Sequence, residues 1–592
     1  MRKLYFILLA LLLTYSASLV AQQTYKTNAL SIQYKDVSQE AVHVNYSSSV
    51  LFAGEYLFYK VFCINKDSRW LSALSKIAYV ELISETGEVV FKHKVELVEG
   101  EANSEFFIPT AIESGSYKLI AYTRWMKNYG LSSFFQADIA IINPYRNDQK
   151  VILNKNSADS VLLYTNNNDA DSSHDNTMGF DLHLDKKIFE SREKVVVDIK
   201  NYKGRKGYGK YTLSVRKVDT ISRLLKHNRL SYKNNLFKGT SNNKIPGNRV
   251  FYEPEASGTI IKGRVIESQS KQPTKQNVAI SVSGEHFLFR AKATNEEGGF
   301  TFFALDANHE YNDAVVHVIG DTKKRYEIVI EEDAPLDYKV LSFKPFTIDA
   351  SLRKEITKRS IYNQLENGYY SVKPDTIKQV PSKMPFTYYE KSTTTNLDEF
   401  KRFSTIKEVF TELIKNAWTG TDTLGKPVVK VRQEDDEQET GFLPLIFIDG
   451  VFVQNHDHLL SYDARKVDNI TVLRKYYIFG TQPYQGAILV ETKRKDYTNQ
   501  DFGAHLKNVS LFQHQKRKNY FKQLYANETQ QRSSRIPDYR MQLAWEPDIE
   551  LSTNELHFQF FTSDNLGQYE ISLEGFTVDG KPVSLRQMIE VK

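Results

Sequence analysis

The chain has 592 residues, 41% hydrophobic and 25% charged, an ordinary globular composition that excludes a disordered or collagen-like chain. That length corresponds to about three to six domains. Lys and Arg number 78 against 72 Asp and Glu, a formal charge of +6, too dilute for a dedicated nucleic-acid protein, whose basic residues cluster on one face. The 35 Tyr and 35 Phe set against 28 Gly favour strands, because aromatic side chains suit a half-buried pleated surface. A single cysteine, Cys63, excludes an internal disulfide framework and any multi-cysteine zinc site.

Residues 1–21 read as a secretory signal peptide. Arg2 and Lys3 precede the uncharged apolar stretch 4–13, and small residues (Ser16, Ala17, Ser18, Ala21) follow. Removing that segment lowers the charge from +6 to about +4. No later apolar run approaches the roughly 20 residues of a membrane helix. The mature chain is therefore expected to be exported, without a transmembrane segment, and soluble or peripherally attached.

From residue 42 to 145 the pattern alternates with period two. Residues 56–64 put Leu57, Tyr59, Val61 and Cys63 on one face, and a turn signal about every ten residues predicts an antiparallel sandwich over 24–147. Cys63 inside such a strand reads as a small buried hydrophobe. Residues 156–178, rich in Asn, Asp and Ser, read as a linker. Strands resume over 178–250 as a second small β unit, and a third β unit follows over 258–345, with a hairpin turn at Gly298-Gly299. Period changes after Pro345. Residues 352–365, within a linker spanning 346–395, and residues 397–417 have helical spacing; in the second, Phe400, Phe403, Ile406, Val409, Phe410, Leu413 and Ile414 recur at three or four. The acidic run 434–439 reads as a solvated loop. A small α+β unit follows over 396–495, and 500–592 alternates again as a C-terminal β domain. The predicted fold class is thus mainly β and multidomain, with β-sandwiches in series and one small α+β domain.

Two motifs carry this α+β unit. Asp449-Gly450 joins two strands as a tight hairpin turn, with positive φ demanded at the glycine. Gly480 and Gly486 flank a loop that re-enters the last strand, where a side chain would obstruct the turn. Ile446 and Ile448 are expected to share a core with Ile470 and Val490.

Candidate chemistry is sparse. His456-Asp457-His458 is the only tight histidine cluster, and His456 and His458 are weak metal candidates set against a polar loop tip. No Ser/His/Asp set has a nucleophile-elbow context, and no G-K-[ST] follows Gly298-Gly299. No catalytic residue and no cofactor are expected. Residues 514–521 form a basic-aromatic stretch that reads as a solvated face before a lipid-binding one. Asp159-Ser160-Val161, Asp219-Thr220-Ile221, Asp375-Thr376-Ile377 and Asp422-Thr423-Leu424 resemble a bacterial O-glycosylation acceptor pattern.

Residues 443–453 (LPLIFIDGVFV), 467–473 (VDNITVL), Phe479-Gly480 and 486–493 (GAILVETK) resemble the plug domain of TonB-dependent outer-membrane receptors. The unit 258–345 is similar to the carboxypeptidase regulatory-like fold, and 24–147 and 178–250 resemble macroglobulin-type sandwiches. The tail, with 536–548 (IPDYRMQLAWEPD), 561–564 (FTSD) and 575–581 (GFTVDGK), resembles the terminal β domain of barrel-less exported Gram-negative envelope proteins. A receptor barrel of 22 strands needs over about 220 residues, more than follow Lys493, so the chain is not expected to be the transporter itself. Thioester macroglobulins use a cysteine in a glycine-rich context that Cys63 lacks, which argues against covalent trapping.

The resemblance implies a non-enzymatic binding or assembly module in the periplasm or peripheral to the outer membrane. Its implied partner is an outer-membrane barrel protein or envelope complex. Nucleic acid is not expected as a partner, and the oligomeric state is left open. The alternatives are an envelope enzyme or regulatory subunit acting on peptide or glycan, and a secreted adhesin at the cell surface.

Overall fold

A computed structural model describes residues 37–146, 149, 152–153, 179–225, 227–228, 251–283, 287–304, 313–320, 325–378, 392–434, 441–480, 482–499, 504–525 and 535–592. The signal peptide, the 156–178 linker, Asp159-Ser160-Val161 and most of the acidic run lie outside these. The chain divides into two compact units, one of Gly258–Ala334 and Val380–Gln513, the other of Tyr34–Ser257, Pro335–Gln379 and His514–Lys592. Both are mainly β.

In the second of these units, the strands Glu40–Tyr46, Tyr56–Asn65 and Glu101–Phe107 form a three-stranded sheet. A five-stranded sheet faces it, ordered Val50–Phe52, Phe135–Ile142, Gly115–Tyr122, Ile77–Ser84, Val89–Glu96. Leu57, Tyr59, Val61 and Cys63 all enter the core between the sheets, as their period-two spacing requires. The opposite face of that strand is covered too, fully at Lys60 and Phe62 and partly at Phe58: Phe58 stacks on Trp545 at 5.9 Å, Phe62 meets Phe576 at 5.3 Å, and Lys60 Nζ reaches Asp548 Oδ1 at 2.9 Å.

Those partners belong to a second sandwich. The segments 178–250 and 500–592, expected as separate domains, supply its strands jointly. Gly209–Lys217 lies between Gly567–Thr577 and Gln542–Leu551, and Lys194–Asn201 pairs with Glu555–Phe561. Neither segment closes a core alone, since Val195, Val197 and Leu213 pack against Leu543, Phe558 and Ile571. One other boundary moves for the same reason, burial against a distant segment. Residues 335–345 leave the third β unit: Leu341 joins the first sandwich core, with Tyr338 and Phe343 packed against it. The helix expected over 352–365 forms as Arg353–Gly368, with Arg359, Ser360 and Asn363 buried.

The other unit holds a sandwich of Gly299–Ala304, Thr259–Glu267 and Tyr326–Glu331 against Leu288–Ala293, Asn277–Val282, Asp313–Val318 and Leu506–Ser510. The last strand, placed by sequence in the C-terminal domain, closes this sheet by pairing with Asp313–Val318. Asn295 Oδ1 accepts the Gly299 N–H at 2.6 Å and Gly298 has φ 70°, so a tight turn forms, but it is not the expected hairpin: Leu288–Ala293 and Gly299–Ala304 lie in opposite sheets and do not pair.

The α+β domain follows. Its sheet runs Ser392–Asn396, Val467–Phe479, Gln482–Thr492, Leu445–Ile448, Val451–Phe452, with Leu445–Ile448 parallel to Gln482–Thr492. The helical reading of 397–417 shrinks to Ile406–Glu412, begun by a capping box in which the Thr405 hydroxyl accepts the Glu408 N–H and the Glu408 carboxylate accepts the Thr405 N–H. Ala417 already starts a strand. Ile406, Val409 and Phe410 still use their three- and four-residue spacing to enter the core.

Candidate docking surface of the α+β domain

Asp449 and Gly450 have φ of 49° and 80°, and the turn they make pairs Ile448 with Val451. Positive φ at both central residues is the hairpin geometry whose twist matches the flanking strands. The Asp449 carboxylate then ties the turn to the end of a neighbouring strand. It accepts the Thr492 N–H at 2.7 Å, the Thr492 hydroxyl at 2.5 Å and the Tyr497 N–H at 3.2 Å. Gly450 is constrained twice, since a Cβ there would lie 2.4 Å from Phe287 Cβ. Ile446, Ile448, Ile470 and Val490 share one buried core.

The two remaining glycines differ from expectation. Gly480, φ 61°, sits in the turn after Phe479, with Ala291 O at 3.6 Å as the nearest atom to a built Cβ. Gly486 flanks no loop; it lies inside the strand Gln482–Thr492, beside a register shift between Leu473 and Tyr476. Its φ is 77°, and a Cβ would meet Leu473 O at 2.6 Å. A bulge of this kind bends the paired strands and raises their twist.

The described pairing of Val467–Phe479 with Ser392–Asn396 reaches Leu473, and beyond it Tyr476 to Phe479 pair with Gln482 to Gln485 as a two-stranded arm. Alternation divides this arm. Tyr477, Phe479 and Tyr484 pack on the cluster around Phe289 and Phe447. Tyr476 and Ile478 face outward, 41% and 65% exposed, with Phe442 6.1 Å from Tyr476. The run Tyr476, Tyr477, Ile478, Phe479 was visible in the sequence, but what separates its faces is the sandwich beneath it.

His456 and His458 lie on the short helix His456–Leu460, capped by Asn455, rather than at a polar loop tip. The structure gives each ring its own partner. His456 Nδ1 accepts the Val429 N–H at 3.0 Å, and His458 Nε2 meets the Tyr497 hydroxyl at 2.9 Å. Burial pushes the His456 imidazole down to about 4 and lowers His458 as well. Both rings serve structural hydrogen bonds.

Other sequence candidates lie in the second unit. Cys63 is wholly buried, and burial, with Glu40 beside it, pushes its thiol well up. The 514–521 stretch is only partly a solvated face: Lys516 and Asn519 are exposed, but Tyr520 is buried with its hydroxyl 3.0 Å from Glu105 Oε2, and Lys518 pairs with the same carboxylate. Thr220 and Thr376 are exposed there, as is Thr423 in the α+β domain. Among the described residues no helix is long and apolar enough to cross a membrane.

Among solved structures, the chain is similar to Salmonella alpha-2-macroglobulin reacted with methylamine, at 9% identity and TM-score 0.23, covering 94% of this chain and 40% of that one. It is also similar to Escherichia coli alpha-2-macroglobulin activated by porcine elastase, at 9% identity and TM-score 0.23, covering 93% and 44%. A Listeria innocua beta-glucosidase in complex with isofagomine matches at 16% identity and TM-score 0.12 over 18% of this chain and 16% of its own. The chain thus spans less than half the length of the macroglobulins it matches. No protein-family model matches the sequence, and no curated protein matches it. The mainly β, multidomain fold stands on the strand pairing described above.

Proposed function

We propose that this protein is a non-enzymatic, exported module of the Gram-negative cell envelope that docks to an outer-membrane barrel protein from the periplasmic side. In this reading the α+β domain is plug-like and the sandwich before it is of the carboxypeptidase regulatory-like kind. The two sandwiches of the other unit are macroglobulin-type spacers. The carrying observation is the outward face of this arm: Tyr476 and Ile478 are 41% and 65% exposed, with Phe442 beside Tyr476. Exposed apolar and aromatic side chains grouped in this way suit burial against a protein partner.

Affinity purification from envelopes in mild detergent tests this, comparing wild type with Ile478→Lys, a change on an exposed position that leaves the core intact. A barrel protein recovered with wild type and lost with Ile478→Lys is the expected result. Recovery of no barrel protein, or equal recovery with both, overturns the reading.

A further inference from the structure

On the second sandwich, the strands Glu555–Phe561, Lys194–Asn201 and Phe180–His183 lie side by side. Their register is tight enough to define rows. Asp198 is directly opposite His557 on one side and His183 on the other. Residues opposite one another across a sheet project to the same face. Val197, Ile199, Leu182, Phe558 and Phe560 enter the core, so the alternating set containing His183, Asp198 and His557 must face out. All three are at least partly exposed, as is Glu555, two residues before His557.

His557 Nδ1 lies 2.7 Å from Asp198 Oδ1. One ligand-type atom from each of Asp198, Glu555 and His557 falls within 4.8 Å of the others, the one group of three of this kind among the described residues. Donors around a zinc ion at about 2.0–2.2 Å must approach one another closely, and these are within a small side-chain rotation of doing so. His183 lies across the middle strand from His557, two strand spacings or about 10 Å away, a gap two imidazoles close when both aim above Asp198.

We propose that His557, Asp198 and Glu555, with His183 as a fourth ligand, form a surface site for a divalent first-row transition ion such as Zn²⁺. The donor set selects the ion class. Imidazole nitrogen suits zinc, copper and nickel, whereas Mg²⁺ and Ca²⁺ take oxygen. The two carboxylates supply charge neutralisation, and the core-locked strands hold the donors without loop ordering.

Titration of metal-free full-length protein with Zn²⁺, followed by calorimetry, tests the site. One saturable Zn²⁺ per chain is expected, undisturbed by excess Mg²⁺. His557→Ala and Asp198→Asn should each weaken it by about tenfold or more, and His183→Ala should weaken it measurably. All three positions are at least partly exposed, and unfolding midpoints without metal should match wild type. His458→Ala should leave binding unchanged. Failure of wild type to bind Zn²⁺, binding retained at full strength in His557→Ala and Asp198→Asn, or loss in His458→Ala would each overturn the proposal.

Discussion

Arg359 grips Glu55 in a two-pronged contact, Nε to Oε1 at 2.7 Å and Nη2 to Oε2 at 2.8 Å, with both side chains almost wholly withdrawn from water. Arg216 adds a third hydrogen bond to the same carboxylate at 2.9 Å, and Asp219 balances Arg359 at 3.3 Å. The cluster joins the first sandwich, the second sandwich and the helix Arg353–Gly368. Burial alone would raise the Glu55 carboxyl; Arg359 and Arg216 outweigh it and hold it below its ordinary value.

Breaking that pair strands a buried charge. Arg359→Ala or Glu55→Ala should destabilise the unit by about 3–5 kcal/mol, read as a fall in the denaturation midpoint at neutral pH. A carboxyl with a depressed folded pKa contributes fully above its unfolded value, about 4.3. It loses that contribution as pH falls through the lower folded value. Glu55→Gln should therefore blunt the acid loss of stability. An acid profile unchanged in Glu55→Gln would show that another group governs it.

Gly450 and Gly87 separate two costs that are usually merged. Both have positive φ, 80° and 84°, but a Cβ at Gly87 meets nothing within 4 Å, whereas one at Gly450 runs into Phe287. Gly87→Ala should cost only backbone strain, about 1 kcal/mol. Gly450→Val should cost more than about 3 kcal/mol, through strain and overpacking together, and part should return in Gly450→Val with Phe287→Ala. Thermal unfolding of the four proteins measures the difference. Equal losses at the two glycines would mean the turn opens instead.

His456 and His458 should behave differently. His456→Ala removes the acceptor of a buried Val429 N–H, a loss of about 1–3 kcal/mol, whereas His458→Ala removes a contact to a half-buried ring and should cost less. The His456 imidazole stays neutral in the fold down to about 4, against an ordinary value of 6.5. The unfolded chain therefore binds a proton first, and stability falls as pH drops from 6.5 towards about 4. His456→Ala should lose that part of the pH dependence, which unfolding midpoints across this range would reveal.

Deleting 514–592 removes Gln542–Leu551, Glu555–Phe561, Gly567–Thr577 and Pro582–Val591 from the second sandwich. Lys194–Asn201 and Gly209–Lys217 then lose antiparallel partners and the facing half of their core. The truncated protein should bind a hydrophobic dye strongly and exchange amides across 194–217 fast. Protected amides there would mean that 178–250 folds alone.

Local features were legible in the sequence because their causes are local. Alternation alone put Leu57, Tyr59, Val61 and Cys63 on one face, and Asp449-Gly450 announced a hairpin by the backbone it can adopt. Ile446 and Ile448 met Ile470 and Val490 because strand period leaves each side chain two choices of face. Only the tertiary structure decided which strands share a sheet. Gly209–Lys217 finds Gly567–Thr577 more than 350 residues away, and apolar faces of similar strands carry no label that distinguishes partners, so 178–250 and 500–592 read as two domains and form one. It also decided the fate of polar groups: Glu55 and His456 look like ordinary surface residues until Arg359 and Val429 arrive beside them. The cost of burying a charge or a ring nitrogen depends on what surrounds it in space.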